Sequence, residues 1–134
     1  MKIDSIEKAR YYVGKAEMIL KERGLLDEEV QLYENKKAVR KAGRMLWYGV
    51  LLALDAVFDV RTDRRTKVKI DVYLDAISER DEALAKVVDC GCDIIWVYIA
   101  YDGIQSKPLC DEGIRIANEI IDRCEKILQR SRKH

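Results

Sequence analysis

The chain of 134 residues is 49% apolar and 37% charged, with one proline and seven glycines, the balance of one soluble, helix-rich domain rather than a disordered segment. Its 25 basic and 24 acidic residues leave a formal net charge of +1, so no global field draws it toward nucleic acid or an anionic membrane. The opening MKIDSIEKAR has no apolar signal core, which makes a cytoplasmic location the expectation and reduced thiols the expected state of the four cysteines.

Taken in chain order, the first helix is expected to follow Asp4 and Glu7, which have the spacing of a capping box. Ile6, Ala9, Val13, Ala16 and Leu20 recur at three- and four-residue steps and form its buried stripe, and Gly24 is its natural stop. A second helix is expected from about Asp27 or Tyr33 to Phe58. Its stretch LWYGVLLALDAVF carries a single charge, yet a membrane span needs about 20 apolar residues, so a buried helix and no membrane contact are expected. A third helix should run from about Ile70 to Asp102 and end at Gly103, close to ~50 Å long if unbroken. The fourth opens near Ser106 and Pro108, with Leu109, Gly113, Ile116, Ile120, Cys124 and Ile127 on one stripe, and the tail 130–134 frays. No strand alternation and no internal repeat stands out. Four amphipathic helices with short connectors predict a single all-α domain over 1–134, an antiparallel up-down-up-down four-helix bundle.

The second helix presents two apolar faces at 100° per residue. Ala38, Ala42, Met45, Gly49, Leu52 and Ala56 form one of small side chains, while Trp47, Val50, Leu54 and Phe58 form an opposite one of large side chains. Such a helix is either central in the fold or part of an interface with a second chain, because the large face left in water would exceed the apolar patches soluble monomers carry. A homodimer or protein partner held by Trp47, Val50, Leu54 and Phe58, with Trp47 and Phe58 as anchors, is the leading functional expectation. Between the faces run Lys37, Arg44, Tyr48 and Asp55. Asp55 is the best single candidate for a functional acid, since a partly buried carboxylate must find a partner or give up its charge. The alternatives are a small-molecule pocket around Asp55, Tyr48 and Arg44, or a structural carboxylate bonded to a tyrosine or arginine on another helix.

Metal and enzyme chemistry find little support. The stretch Asp89-Cys90-Gly91-Cys92-Asp93 looks like a thiol site, but on a helix Cys90 and Cys92 point about 160° apart. Gly91 then falls on the buried stripe with Tyr73, Leu84, Ile95 and Tyr98 and reads as a packing notch, with Cys92 at the core's edge and Cys90 further round. Cys110 and Cys124 lie about 21 Å apart along the fourth helix, whereas one zinc needs sulfurs about 2.3 Å from a point; no metal is expected. Histidine occurs only at position 134, which removes His-based triads and metal centres, and no Walker or GxGxxG loop is present. No cofactor is expected. The connector DVRTDRRTKVK brings Arg61, Arg64, Arg65 and Lys67 together as a candidate anion site, diluted by Asp59 and Asp63 and without an aromatic to stack bases.

The pieces AGRMLWYGVLLALDAVF and YIAYDG resemble an uncharacterised bacterial family, a domain of unknown function mainly of Bacteroidetes, over nearly the whole chain. More distantly the layout is similar to the HEPN class of helical domains, which includes ribonucleases of toxin-antitoxin systems. HEPN ribonucleases carry Arg-x(4 to 6)-His, and here Arg130 to His134 has three intervening residues, so no RNase activity carries over. The resemblance implies a four-helix bundle that tends to dimerise, and it makes an RNA-associated module the alternative to a non-enzymatic protein that binds partners or itself.

Overall fold

A computed structural model describes residues 2–58 and 70–132 of the protein, with side chains described for 4–58 and 70–131. The candidate anion site at Arg61, Arg64, Arg65 and Lys67 lies outside the described residues.

Helix α1, Lys2–Arg23, buries Ile6, Ala9, Val13, Ala16, Ile19 and Leu20, the expected stripe. It begins before Asp4, so that residue sits in the first turn rather than at the cap. There its charge favours the positive helix end. After Gly24 the chain makes a small antiparallel hairpin, β1 Leu26–Asp27 and β2 Leu32–Tyr33, too short to leave an alternating pattern. Asn35 then caps α2, Lys36–Phe58: its Oδ1 accepts from the amide of Ala38 at 3.2 Å and its Nδ2 donates to the carbonyl of Arg23 at 2.9 Å. One residue therefore stops α1, starts α2 and ties the two together.

The expected long third helix is broken into three pieces. Helix α3, Ile70–Arg80, stops where Asp81 turns extended at φ −152°, and the Asp81 carboxylate accepts from the amide of Leu84 at 3.0 Å to start α4, Glu82–Gly91. Aspartate offers its side chain to free amides and so favours such a cap over a helix interior. From Cys92 to Tyr101 the chain is π-helical; the amide of Asp102 donates to the carbonyl of Val97 five residues back, at 2.8 Å. Gly103, at φ 64°, closes this π segment in a left-handed conformation that suits glycine. Ser106 caps α5, Lys107–Arg132, by accepting from the amide of Leu109.

Among the described residues the chain is all-α apart from the hairpin. Helix α2 lies at the centre, packed against α1, α5, the π segment and α3. Its large face is therefore filled from within: Trp47, Val50 and Leu54 are buried in the chain's own core, and Phe58 is half-buried with the Arg80 guanidinium 5.5 Å over its ring. Of the two alternatives for α2, the central position is the one observed. The large face, expected as a contact for a second chain, meets this chain's own elements instead: Trp47 stacks on Trp96 of the π segment and Phe58 lies under Arg80 of α3. Among the described residues no helix is long and apolar enough to cross a membrane.

Candidate functional site

Three residues of the polar line on α2, Asp55, Tyr48 and Arg44, go to different neighbours. Asp55 accepts a 2.6 Å hydrogen bond from the hydroxyl of Tyr73 on α3, the bond to a tyrosine on another helix that a structural carboxylate would make. Tyr48 meets the ring of Tyr12 edge-on, centroids 4.7 Å apart. Arg44 points elsewhere, into a groove described below, and nothing brings the three to a common point.

The DCGCD stretch spans the junction of α4 and the π segment. Gly91 is buried, and a Cβ there would meet Ile116 at 3.1 Å and Ile120 at 3.3 Å, so it is a notch for α5. Cys90 is exposed and Cys92 half-buried, while Asp89 and Asp93 face solvent. Burial raises the Cys92 thiol, helped by the nearby charges of Asp93 and Asp89. Cys110 and Cys124 on α5 are fully buried, and that burial pushes both thiols up to about 12. None of these three is poised as a thiolate nucleophile. Among the described residues no cluster of three or more cysteine, aspartate, glutamate or histidine side chains could hold a metal ion. Tyr98 departs from expectation: it is 42% exposed rather than on the buried stripe, because the π segment turns more residues per revolution than an α-helix.

That same change of winding builds the site that α-helical periodicity conceals. Trp96 and Tyr101 are five residues apart, about 140° apart on an α-helix but neighbours after one π turn. With Ala100 and Asp102 they form one wall of an open groove of about 680 Å³; the other wall is Lys36, Arg40 and Arg44, successive turns on one edge of α2. Tyr101 is 74% exposed and Trp96 44%. The inner side of Trp96 is held by the buried Trp47, rings 6.5 Å apart and 29° from parallel. The stems of Lys36 and Arg40 lie over Gly103, where an added Cβ would come within 3.0 Å of both. The three cations make no ion pair among the described residues, whereas Arg10, Lys107, Arg115 and Arg123 are each matched with carboxylates. Val97 and Ile104, next in sequence to Trp96 and to Gly103 at the groove, are exposed too, as is Tyr98 further round the segment. The one-turn spacing of Lys36, Arg40 and Arg44 was readable in the sequence; their aromatic counterparts were not.

The chain is similar to a solved protein of unknown function from Dyadobacter fermentans, at 25% identity and a TM-score of 0.85, the match covering 96% of this chain and 98% of that one. No curated protein matches it. The family model of the domain of unknown function DUF5618 matches residues 4–126, nearly the whole chain, and the protein belongs to that family.

Proposed function

We propose that this protein is a non-enzymatic, cytoplasmic binding module, built on an antiparallel up-down-up-down frame, that acts through self-association or a protein partner. Its contact surface is the groove between the cationic edge of α2 and the outer face of the π segment. The observation that carries this reading is the side-chain set: Trp96, Tyr101, Arg40 and Arg44 line one groove and are exposed, and Trp, Tyr and Arg are the types that dominate binding energy at protein interfaces. Trp96 is already stacked on Trp47, so little side-chain freedom is lost when a partner covers it. The cysteines, all present as free thiols, suit a reducing compartment.

An RNA-associated, HEPN-like module is the second reading. It is favoured by the same rings beside three unmatched cations, the combination on which bases stack along a basic track. Asp102 in the groove and the aliphatic Val97 and Ile104 beside it weigh toward protein.

Affinity capture from the native cell, with protein and RNA both identified, tests the two. Wild type should recover a defined protein that the double variant Trp96→Ala, Tyr101→Ala loses; recovery unchanged in the variant would sink the groove as the contact. RNA recovered instead, and released as salt rises, would favour the second reading.

A further inference from the structure

We infer that the groove receives the hairpin tip of a second copy of this chain. The inference rests on the contact surface proposed above and names its occupant. The hairpin concentrates exposed apolar side chains in a few residues. Leu25 is 60% exposed and Val30 59%, with Leu32 also exposed, and Asp27, Glu28 and Glu29 lie between them. The backbone is held in the left-handed region at two non-glycine residues, Leu25 at φ 55° and Gln31 at φ 56°, a conformation that costs free energy for a side chain with a Cβ. Leucine especially is rare there, and such strain persists only where surrounding structure enforces it.

The enforcement is visible. The Asp27 carboxylate accepts from the amide of Glu29, Gln31 Nε2 donates to the carbonyl of Glu28, and the amide of Glu34 donates to the carbonyl of Leu25. The base is tied down where the amide of Tyr33 donates to the carbonyl of Gln105 and the amide of Lys107 to that of Gln31. The result is a preformed knob with two apolar side chains, Leu25 and Val30, flanking the carboxylates of Glu28 and Glu29. Neither glutamate has an ion-pair partner among the described residues.

Knob and groove are chemical complements: apolar groups with two carboxylates against exposed rings with three cations, none of them ion-paired among the described residues. Charge pairing of this kind sets register and partner choice. They also adjoin along the chain, since the hairpin leads through Asn35 into Lys36 and is bonded to the residues just beyond Asp102. Two copies related by a two-fold axis can each offer a knob to the other's groove, an arrangement that closes after two chains.

Sedimentation equilibrium of the full chain tests this. Wild type should form a dimer that weakens between about 0.05 and 0.5 M salt. Glu28→Lys with Glu29→Lys should weaken it about tenfold or more, as should Arg40→Glu with Arg44→Glu, by setting like charges against each other. All four substitutions in one chain restore opposite charges and should recover the dimer. All four positions are exposed, and thermal melts that match wild type confirm that each variant is folded. A wild type that stays monomeric at high micromolar concentration in low salt overturns the inference, as does a dimer indifferent to either reversal or not rescued by the four together. A dimer lost with Trp96→Ala but indifferent to the reversals keeps the groove as a contact surface and removes the hairpin as its occupant.

Discussion

Asp55 shows how a residue that invites a functional reading resolves into structure. On α2 it interrupts an apolar run, and the sequence allowed either an acid kept for chemistry or one bonded across helices. The hydroxyl of Tyr73 at 2.6 Å supplies the cross-helix partner of the second alternative, and a short bond to a carboxylate is among the stronger contacts available to a half-buried group. Removing that donor with Tyr73→Phe should cost about 1–3 kcal/mol in chemical denaturation. Tyr48→Phe, whose exposed ring packs edge-on and whose hydroxyl makes no side-chain bond among the described residues, should stay within about 0.5 kcal/mol. Equal losses in the two variants would mean that the Asp55 bond contributes nothing specific.

At the scale of elements, the π segment is the feature that helical periodicity could not anticipate. A run such as CDIIWVYIAY is apolar nearly all round, so its period is uninformative about winding. What constrains it is the approach to α2: a Cβ on Gly43 would lie 2.5 Å from the amide nitrogen of Ala100 and 2.7 Å from its Cα. Backbone atoms cannot swing aside as a side-chain tip can. Gly43→Ala should therefore destabilise by about 1–3 kcal/mol through overpacking, more than the ~1 kcal/mol that alanine gains in helix propensity. Gly14→Ala on the open side of α1, where nothing stands within 4 Å of the added Cβ, should stabilise by about 0.5–1 kcal/mol. Thermal melts of the pair check both signs, and a stabilised Gly43→Ala would show that the crossing has room to spare. The break at Asp81 is more legible, since an aspartate ahead of the helix formers EALAK is a capping signal; the apolar stripe that continues on either side masks it.

The whole molecule carries a pH signature from its thiols. Cys110 and Cys124 sit in the core with pKa values pushed up to about 12 from an ordinary 9. A group whose folded pKa is raised contributes stability fully below the unfolded value, and that contribution is lost as pH rises toward the folded one. Urea midpoints should therefore be insensitive to these thiols below about pH 9 and fall above it. The double variant Cys110→Ala, Cys124→Ala should be less stable near neutrality, by roughly 1 kcal/mol or more for the lost packing, yet fall less steeply in alkali. Parallel alkaline slopes in the two proteins would show that the buried thiols do not govern the loss.

Helical content, the stripes of α1 and α5, the notch at Gly91 and the buried Cys124 were all determined by the sequence alone, because each follows from periodicity and side-chain size within a single helix. Whether the large face of α2 would be covered was not, since Trp47, Val50 and Leu54 read the same beside a second chain as inside the chain's own core; only long-range packing chooses. The groove belongs to the tertiary structure for the same reason. Lys36, Arg40 and Arg44 align by α-helical spacing, but Trp96 and Tyr101 come together only in π winding, and the two walls meet only because α2 and the π segment cross closely at Gly43 and Ala100.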